Sequence, residues 1–145
     1  MTHIADLAPC EQVRLTPKVP LLAIGWLDEA HPYTRGPVDR EAFHTLIALL
    51  KEPWQPFVFA GRHACPFCRF SGGPASFGAE VTMGSANVFV PGEASIYVAP
   101  SLILHYIDAH AYAPPDVFWE AVRACPPMRS MAYLKQVHTL GLRRA

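Results

Sequence analysis

Apolar positions along this chain come in short, interrupted runs whose spacing changes character several times. The clearest helical signal follows Asp39. Phe43, Leu46, Ile47 and Leu50 recur at i, i+3, i+4 and i+7, which is one face of an α-helix. Asp39 is placed to cap that helix through its carboxylate, and Pro53 ends it. Upstream, residues 21–27 (LLAIGWL) read as a short buried strand, and residues 31–37 (HPYTRGP) as a loop with proline at both ends. Residues 57–60 (FVFA) read as a strand that runs into the segment His63-Ala-Cys65-Pro-Phe-Cys68.

Three short strands are predicted next, at 79–83, 87–90 and 95–98, with Gly84-Ser85 and Pro91-Gly92 as the turns between them. They predict an antiparallel meander. Pro100 suits the first turn of a helix over 101–110 that carries Leu102, Ile103, Tyr106 and Ile107. Ala113-Pro114-Pro115 ends it. A further helix spans 116–124, with Val117, Phe118, Ala121 and Val122 inward. The last spans 130–139, with Met131, Leu134 and Val137 inward and Gly141 as its stop. The expected class is α+β: a small antiparallel sheet, about four helices, and a zinc knuckle joining a loop to a helix. Residues 1–20 read as an irregular arm with a short extended piece at 12–15, and residues 21–145 as a single α+β zinc-binding domain.

Composition narrows the function. Apolar residues make up 51% of the 145 and charged residues 17%, a globular balance. Lys plus Arg and Asp plus Glu number 12 each, so no basic field exists to draw nucleic acid or anionic lipid. The 101–110 segment has no Lys or Arg, which argues against a DNA-reading helix. Residues 1–20 show no secretory signal, and no apolar run is long enough to span a bilayer. The expectation is a soluble cytoplasmic protein, with another protein as its candidate partner.

The specific chemistry lies in two segments. His63, Cys65 and Cys68 form H-x-C-x2-C, and His105 and His110 form H-x4-H. Thiolate and imidazole are the ligands that structural zinc prefers, and both spacings fall in its range. Five candidates compete for four places. The first choice is Cys65, Cys68, His105 and His110; the second replaces His110 with His63. Residues five apart point roughly 140° away from each other on an ideal helix. Both imidazoles therefore reach one ion only if the helix loosens or ends near His110. Asp108 is a candidate to hydrogen-bond a ligand ring. Cys10 and Cys125 read as packed thiols, His44 as a plain surface histidine, and Gly72, Gly73 and Gly84 as turn glycines.

Other readings are weaker. Cys65-Pro-Phe-Cys68 also suits thiol–disulfide exchange, but Arg69-Phe-Ser-Gly-Gly-Pro74 would break the helix that such a dithiol needs. Zinc deaminases place Glu two residues after their histidine, where this chain has Cys65. Tyr97, Tyr106, Tyr112, Phe118 and Trp119 read as core first, with a partner-binding patch or a ligand pocket as alternatives.

Gly25-Trp-Leu27, Gly61-Arg-His-Ala-Cys-Pro-Phe-Cys68, Tyr97-Val-Ala-Pro100 and the run from His105 to Pro115 together resemble a family of small uncharacterised bacterial proteins. The likeness covers roughly residues 21–122 and implies metal binding without naming an activity. The two functions expected are a structurally zinc-stabilised interaction module and, as the alternative, a zinc hydrolase with an open metal position. The first is favoured, so an enzyme is not the leading expectation, because four protein donors leave no place for activated water.

Overall fold

A computed structural model describes residues 3–10, 17–58, 62–68 and 70–143 of the chain. Its centre is a three-stranded sheet of β1 (Leu21–Ala23), β4 (Asn87–Pro91) and β5 (Ile96–Pro100) in the order β1-β5-β4. β4 and β5 form an antiparallel hairpin with Val88 opposite Ala99 and Val90 opposite Tyr97, and β1 lies parallel to β5 with Leu22 opposite Tyr97. Every residue of β4 and β5 is buried.

The sheet is buried because alternate residues feed two cores. Val88, Val90, Tyr97 and Ala99 join Phe43, Leu46, Leu50, Ile103, Tyr106, Phe118 and Val122 on one face. Phe89, Ile96, Val98, Leu21 and Ala23 join Trp26, Trp54, Tyr133 and Val137 on the other. The first core therefore draws on helices α1 (Arg40–Lys51), α2 (Ile103–His110) and α3 (Asp116–Ala124), and the second on α4 (Met131–Thr139).

The four helices form for local reasons. Asp39 Oδ1 accepts from the Ala42 N–H at the start of α1, and Ser130 Oγ accepts from Tyr133 N–H at the start of α4. Asp39 Oδ2 also takes the Arg123 guanidinium, tying α1 to α3. Their buried faces differ in phase from the simplest reading of the pattern. Leu49 joins the α1 stripe. Trp119 is buried in α3 while Val117 is 43% exposed, and in α4 Tyr133 turns inward while Met131 is 81% exposed. Tyr133 is drawn inward because its hydroxyl donates to Phe89 O at 2.6 Å.

The meander expected over 79–98 is not one sheet. β2 (Ser76–Phe77) and β3 (Val81–Thr82) make a separate antiparallel pair, and the chain breaks between Met83 and Asn87. Met83 N–H, bonded to Ala75 O, continues the pairing of β3 with the β2 side. β1 joins the hairpin on its other side, along the edge of β5, through Ile24 N–H to Val98 O and Ile96 N–H to Pro20 O. Pro100 closes β5 and does not open a helix; α2 begins three residues later. Phe57 and Val58 are not in a strand, and Phe59 and Ala60 lie outside the described residues, as does the expected piece at 12–15.

The described part of the arm is tied to this frame. Leu7 N–H donates to Ala23 O, Cys10 N–H to Leu21 O, and Ile4 bridges to Trp26. Asp6 accepts from Gly25 N–H and from the buried Tyr112 hydroxyl at 2.8 and 2.9 Å. Tyr112→Phe removes a hydrogen bond to a charged acceptor and is expected to cost about 1.5–3 kcal/mol. Urea unfolding of the two proteins measures it; a midpoint that does not move would show that the Tyr112–Asp6 bond adds nothing to stability.

Candidate metal centre

The donors are delivered by a turn and by the end of a helix. At the turn, Cys68 N–H reaches back to Cys65 O, and Cys65 N–H donates to Gly72 O, which folds residues 65–72 into a tight hairpin-like loop. His105 and His110 lie on α2, and the helix stops at His110. Ala111 follows in the left-handed region (φ 54°), and Tyr112 N–H bonds to Tyr106 O. His110 stands at the last helical position, and its Nε2 reaches to 3.2 Å from His105 Nε2. Tyr33 Oη donates to His110 O at 2.9 Å and holds the terminus in place.

One donor atom each from Cys65, Cys68, His105 and His110 lies within 4.8 Å of the other three. The edges are 3.3 Å from Cys68 Sγ to His105 Nε2, 3.6 Å from Cys68 Sγ to His110 Nε2, and 3.5 Å from Cys65 Sγ to His110 Nε2. The two Nε2 atoms are 3.2 Å apart. Zinc bonds of about 2.3 Å to sulfur and 2.0–2.1 Å to nitrogen, at tetrahedral angles, place adjacent S and N roughly 3.6 Å apart and two N roughly 3.4 Å apart. The observed edges fit a tetrahedral cation. These four residues are positioned to hold a metal ion.

The electrostatics are those of neutral ligands. Burial pushes the Cys65 thiol up to about 11, against the Phe67 and Cys68 backbone N–H groups that lower it. Burial also lowers His105, helped by the neighbouring His110 and opposed by the Asp108 charge. His110 is lowered by burial and then by Arg35. Both imidazoles therefore offer an unprotonated nitrogen at neutral pH, as a metal requires. A buried thiol with a raised pKa is a poor attacking thiol, and no helix follows Cys68 among the described residues, which removes the support for thiol–disulfide exchange.

His63 does not join the four. Its N–H donates to Gly84 O, and its ring stands edge-on to Trp26 with centroids 6.4 Å apart. Gly84 (φ 85°) passes so close that a Cβ there would meet His63 O at 2.2 Å. Asp108 is exposed and makes no hydrogen bond to either ligand ring among the described residues; it acts only through charge.

Three supporting residues were not singled out by spacing. Phe67, between the two cysteines, packs against Tyr33, Tyr106 and His110 at centroid distances of 5.3, 5.9 and 5.2 Å. Tyr106 is fully buried, and its hydroxyl has no hydrogen-bond partner among the described residues. Burial raises its pKa, and the charges of Cys65 and Cys68 raise it further, which places it near the sulfurs. Gly73, read as a turn glycine, is also a contact of the site. At φ 94°, an added Cβ would stand 2.8 Å from Cys65 Cβ and 3.7 Å from His105 Nε2. The aromatic residues Tyr97, Tyr106, Tyr112, Phe118 and Trp119 are all buried, so they are core and do not form a partner-binding patch.

A family model described as a domain of unknown function, DUF7919, matches residues 2–123, from the arm into α3. No curated protein and no solved structure matches the chain.

Two outcomes follow from this geometry. Gly73→Ala is expected to weaken metal binding, because the new methyl must displace Cys65 or force the backbone out of the left-handed region. Competition against a chromophoric chelator reads the change, and equal affinity would disprove the contact. The second outcome is a pH dependence. Near neutral pH the Cys65 thiol, with its pKa near 11, carries a proton that a metal must displace. Affinity should therefore rise with pH, about tenfold per unit for each proton displaced. From pH 6 to pH 8 that gives about a hundredfold from one thiol, and a flat profile would contradict it.

Proposed function

We propose that this chain, which belongs to the DUF7919 family, is a zinc-binding module whose metal is structural. The observation that carries the reading is the match between the S···N and N···N edges and those of a tetrahedral zinc. The donor set narrows the metal. Two thiols with two imidazoles select zinc over magnesium or calcium, which take oxygen ligands. Four protein donors close the coordination shell, so the site has no place for an activated water and the reading is non-catalytic.

The structural task is local. The two hydrophobic cores hold the sheet and helices together. The zinc fastens the loop around residues 62–75 to the end of α2. In small zinc modules the metal contributes roughly 10–16 kcal/mol and decides whether the chain folds at all. Here its work is to fix the shape of one surface. Phe70, fully exposed, stands two residues after Cys68 on that surface and is the apolar contact that the loop offers to another protein.

Purified protein is expected to carry about one zinc per chain. Cys65→Ser and Cys68→Ser lower both metal content and melting temperature, while Cys10→Ser, buried in the second core, leaves metal content alone. X-ray absorption should find two sulfur and two nitrogen neighbours. A spectrum with three protein donors and one oxygen would replace this reading with an open, hydrolytic site. Chelation should expose the amides of Cys65, Cys68 and Gly72 to hydrogen exchange before those of β4 and β5; simultaneous loss would mean that the metal holds the whole fold.

A further inference from the structure

A second group of donors lies where the N-terminal arm meets the segment after β1. The bridge between Ile4 and Trp26 brings residue 3 beside Asp28. His3, Asp28 and His31 each offer one donor atom, all within 4.8 Å of one another. Asp28 Oδ1 accepts from His31 N–H at 3.1 Å and lies 2.7 Å from His31 Nδ1. The two imidazoles are stacked, with centroids 3.9 Å apart and planes within 7°.

We propose that His3, Asp28 and His31 form a second metal site, one that takes a borderline divalent cation such as zinc, cobalt or nickel and completes its shell with water. Two imidazoles and one carboxylate suit those ions and, lacking thiolate, discriminate against softer ones. Three protein donors leave positions open, which separates this site in kind from the closed four-donor centre.

The stack itself is informative. One ion cannot lie in the planes of two parallel rings, so loading must turn at least one imidazole toward the other donors. The His31 side chain is 52% exposed, so it can turn by giving up its stack on His3 and its contact with Asp28, and imidazole χ2 torsions have broad wells. Adjacent ligands at bonds of about 2.0–2.1 Å stand roughly 2.9–3.4 Å apart. The Asp28–His31 pair, at 2.7 Å, stands a little inside that spacing. The bound ion would clamp residue 3 to residues 28 and 31, fixing the arm from outside while the Asp6–Tyr112 contact fixes it from within.

Cobalt(II) titrated into the protein as purified, followed by calorimetry and visible absorption, tests this. The expected result is one further equivalent, with the weak ligand-field bands of an oxygen–nitrogen site and no thiolate charge-transfer band. His3→Gln and His31→Gln are expected to weaken that step by at least about tenfold, the loss seen even for residues that only support a ligand. Their metal content as purified and their melting temperature should stay unchanged, which shows that fold and four-donor centre are intact. No further equivalent, or a second step that persists undiminished in the double variant, overturns the assignment.

Discussion

The structure turns on the place where α2 stops. A helix that ran one turn further would carry Tyr112 away from Asp6. A helix that stopped one turn earlier would leave His110 outside it. The left-handed Ala111 ends it between those limits, and several neighbours agree on the ending. Gly36 N–H bonds to Ala111 O, Ala113 N–H bonds to Thr34 O, and Arg35 bridges to Tyr112. The carbonyls and amides freed at the helix end are thus satisfied by the loop at 33–36. The same ending sends Tyr112 to Asp6 and leaves His110 facing the cysteines. One backbone reversal joins arm, loop and donor cluster.

That junction also explains why the donors suit a cation and little else. Burial disfavours charge on every one of its shifted groups: Cys65 is raised, His105 and His110 are lowered. Four such donors 3.2–3.6 Å apart bring together more lone pairs than they have protons to share. A divalent ion reverses the balance by displacing the thiol proton to solvent and accepting one lone pair from each of the four donors. The end of a helix favours positive charge as well, because its last carbonyls carry the negative pole of the dipole. Sulfur, imidazole and helix terminus all favour the same sign.

Much of this was legible in the chain, and the misses have physical reasons. α1 is legible from the Asp39 cap and apolar periodicity, and α3 and α4 from periodicity and the proline and glycine breaks beside them; the cap that Ser130 supplies to α4 is not among those signals. The four donors were legible because ligand spacing is a local property of a turn and a helix. What failed was long-range. Parallel pairing of β1 with β5 spans most of the chain, and nothing in LLA names its partner. β3 was given to the wrong sheet because period-two spacing says strand and not which strand. Periodicity chose Met131 over Tyr133 because it weighs apolarity and cannot see the carbonyl of Phe89 waiting for a hydroxyl. His63 is a fair candidate by spacing, and its long-range contacts, the backbone with Gly84 and the ring with Trp26, are not visible in that spacing.

The relation between core and donor cluster decides what kind of metal site this can be. Many small metal modules have too little apolar surface to fold without their ion. This chain buries Phe43, Leu46, Ile103, Tyr106, Phe118 and Val122 on one side of the sheet and Trp26, Phe89, Tyr133 and Val137 on the other. Cys65 sits at the edge of the first core, while Cys68 and Phe67 are only partly buried against it. The donors therefore stand where a finished core meets a loop that has none of its own. An ion there adds order to the loop's shape more than to the existence of the fold. The Gly72–Gly73 turn, which lets that loop double back on Cys65, belongs to the same device. It makes room for the sulfur by giving up side chains that could have packed, and the cross-link to α2 supplies the rigidity that packing would otherwise have provided.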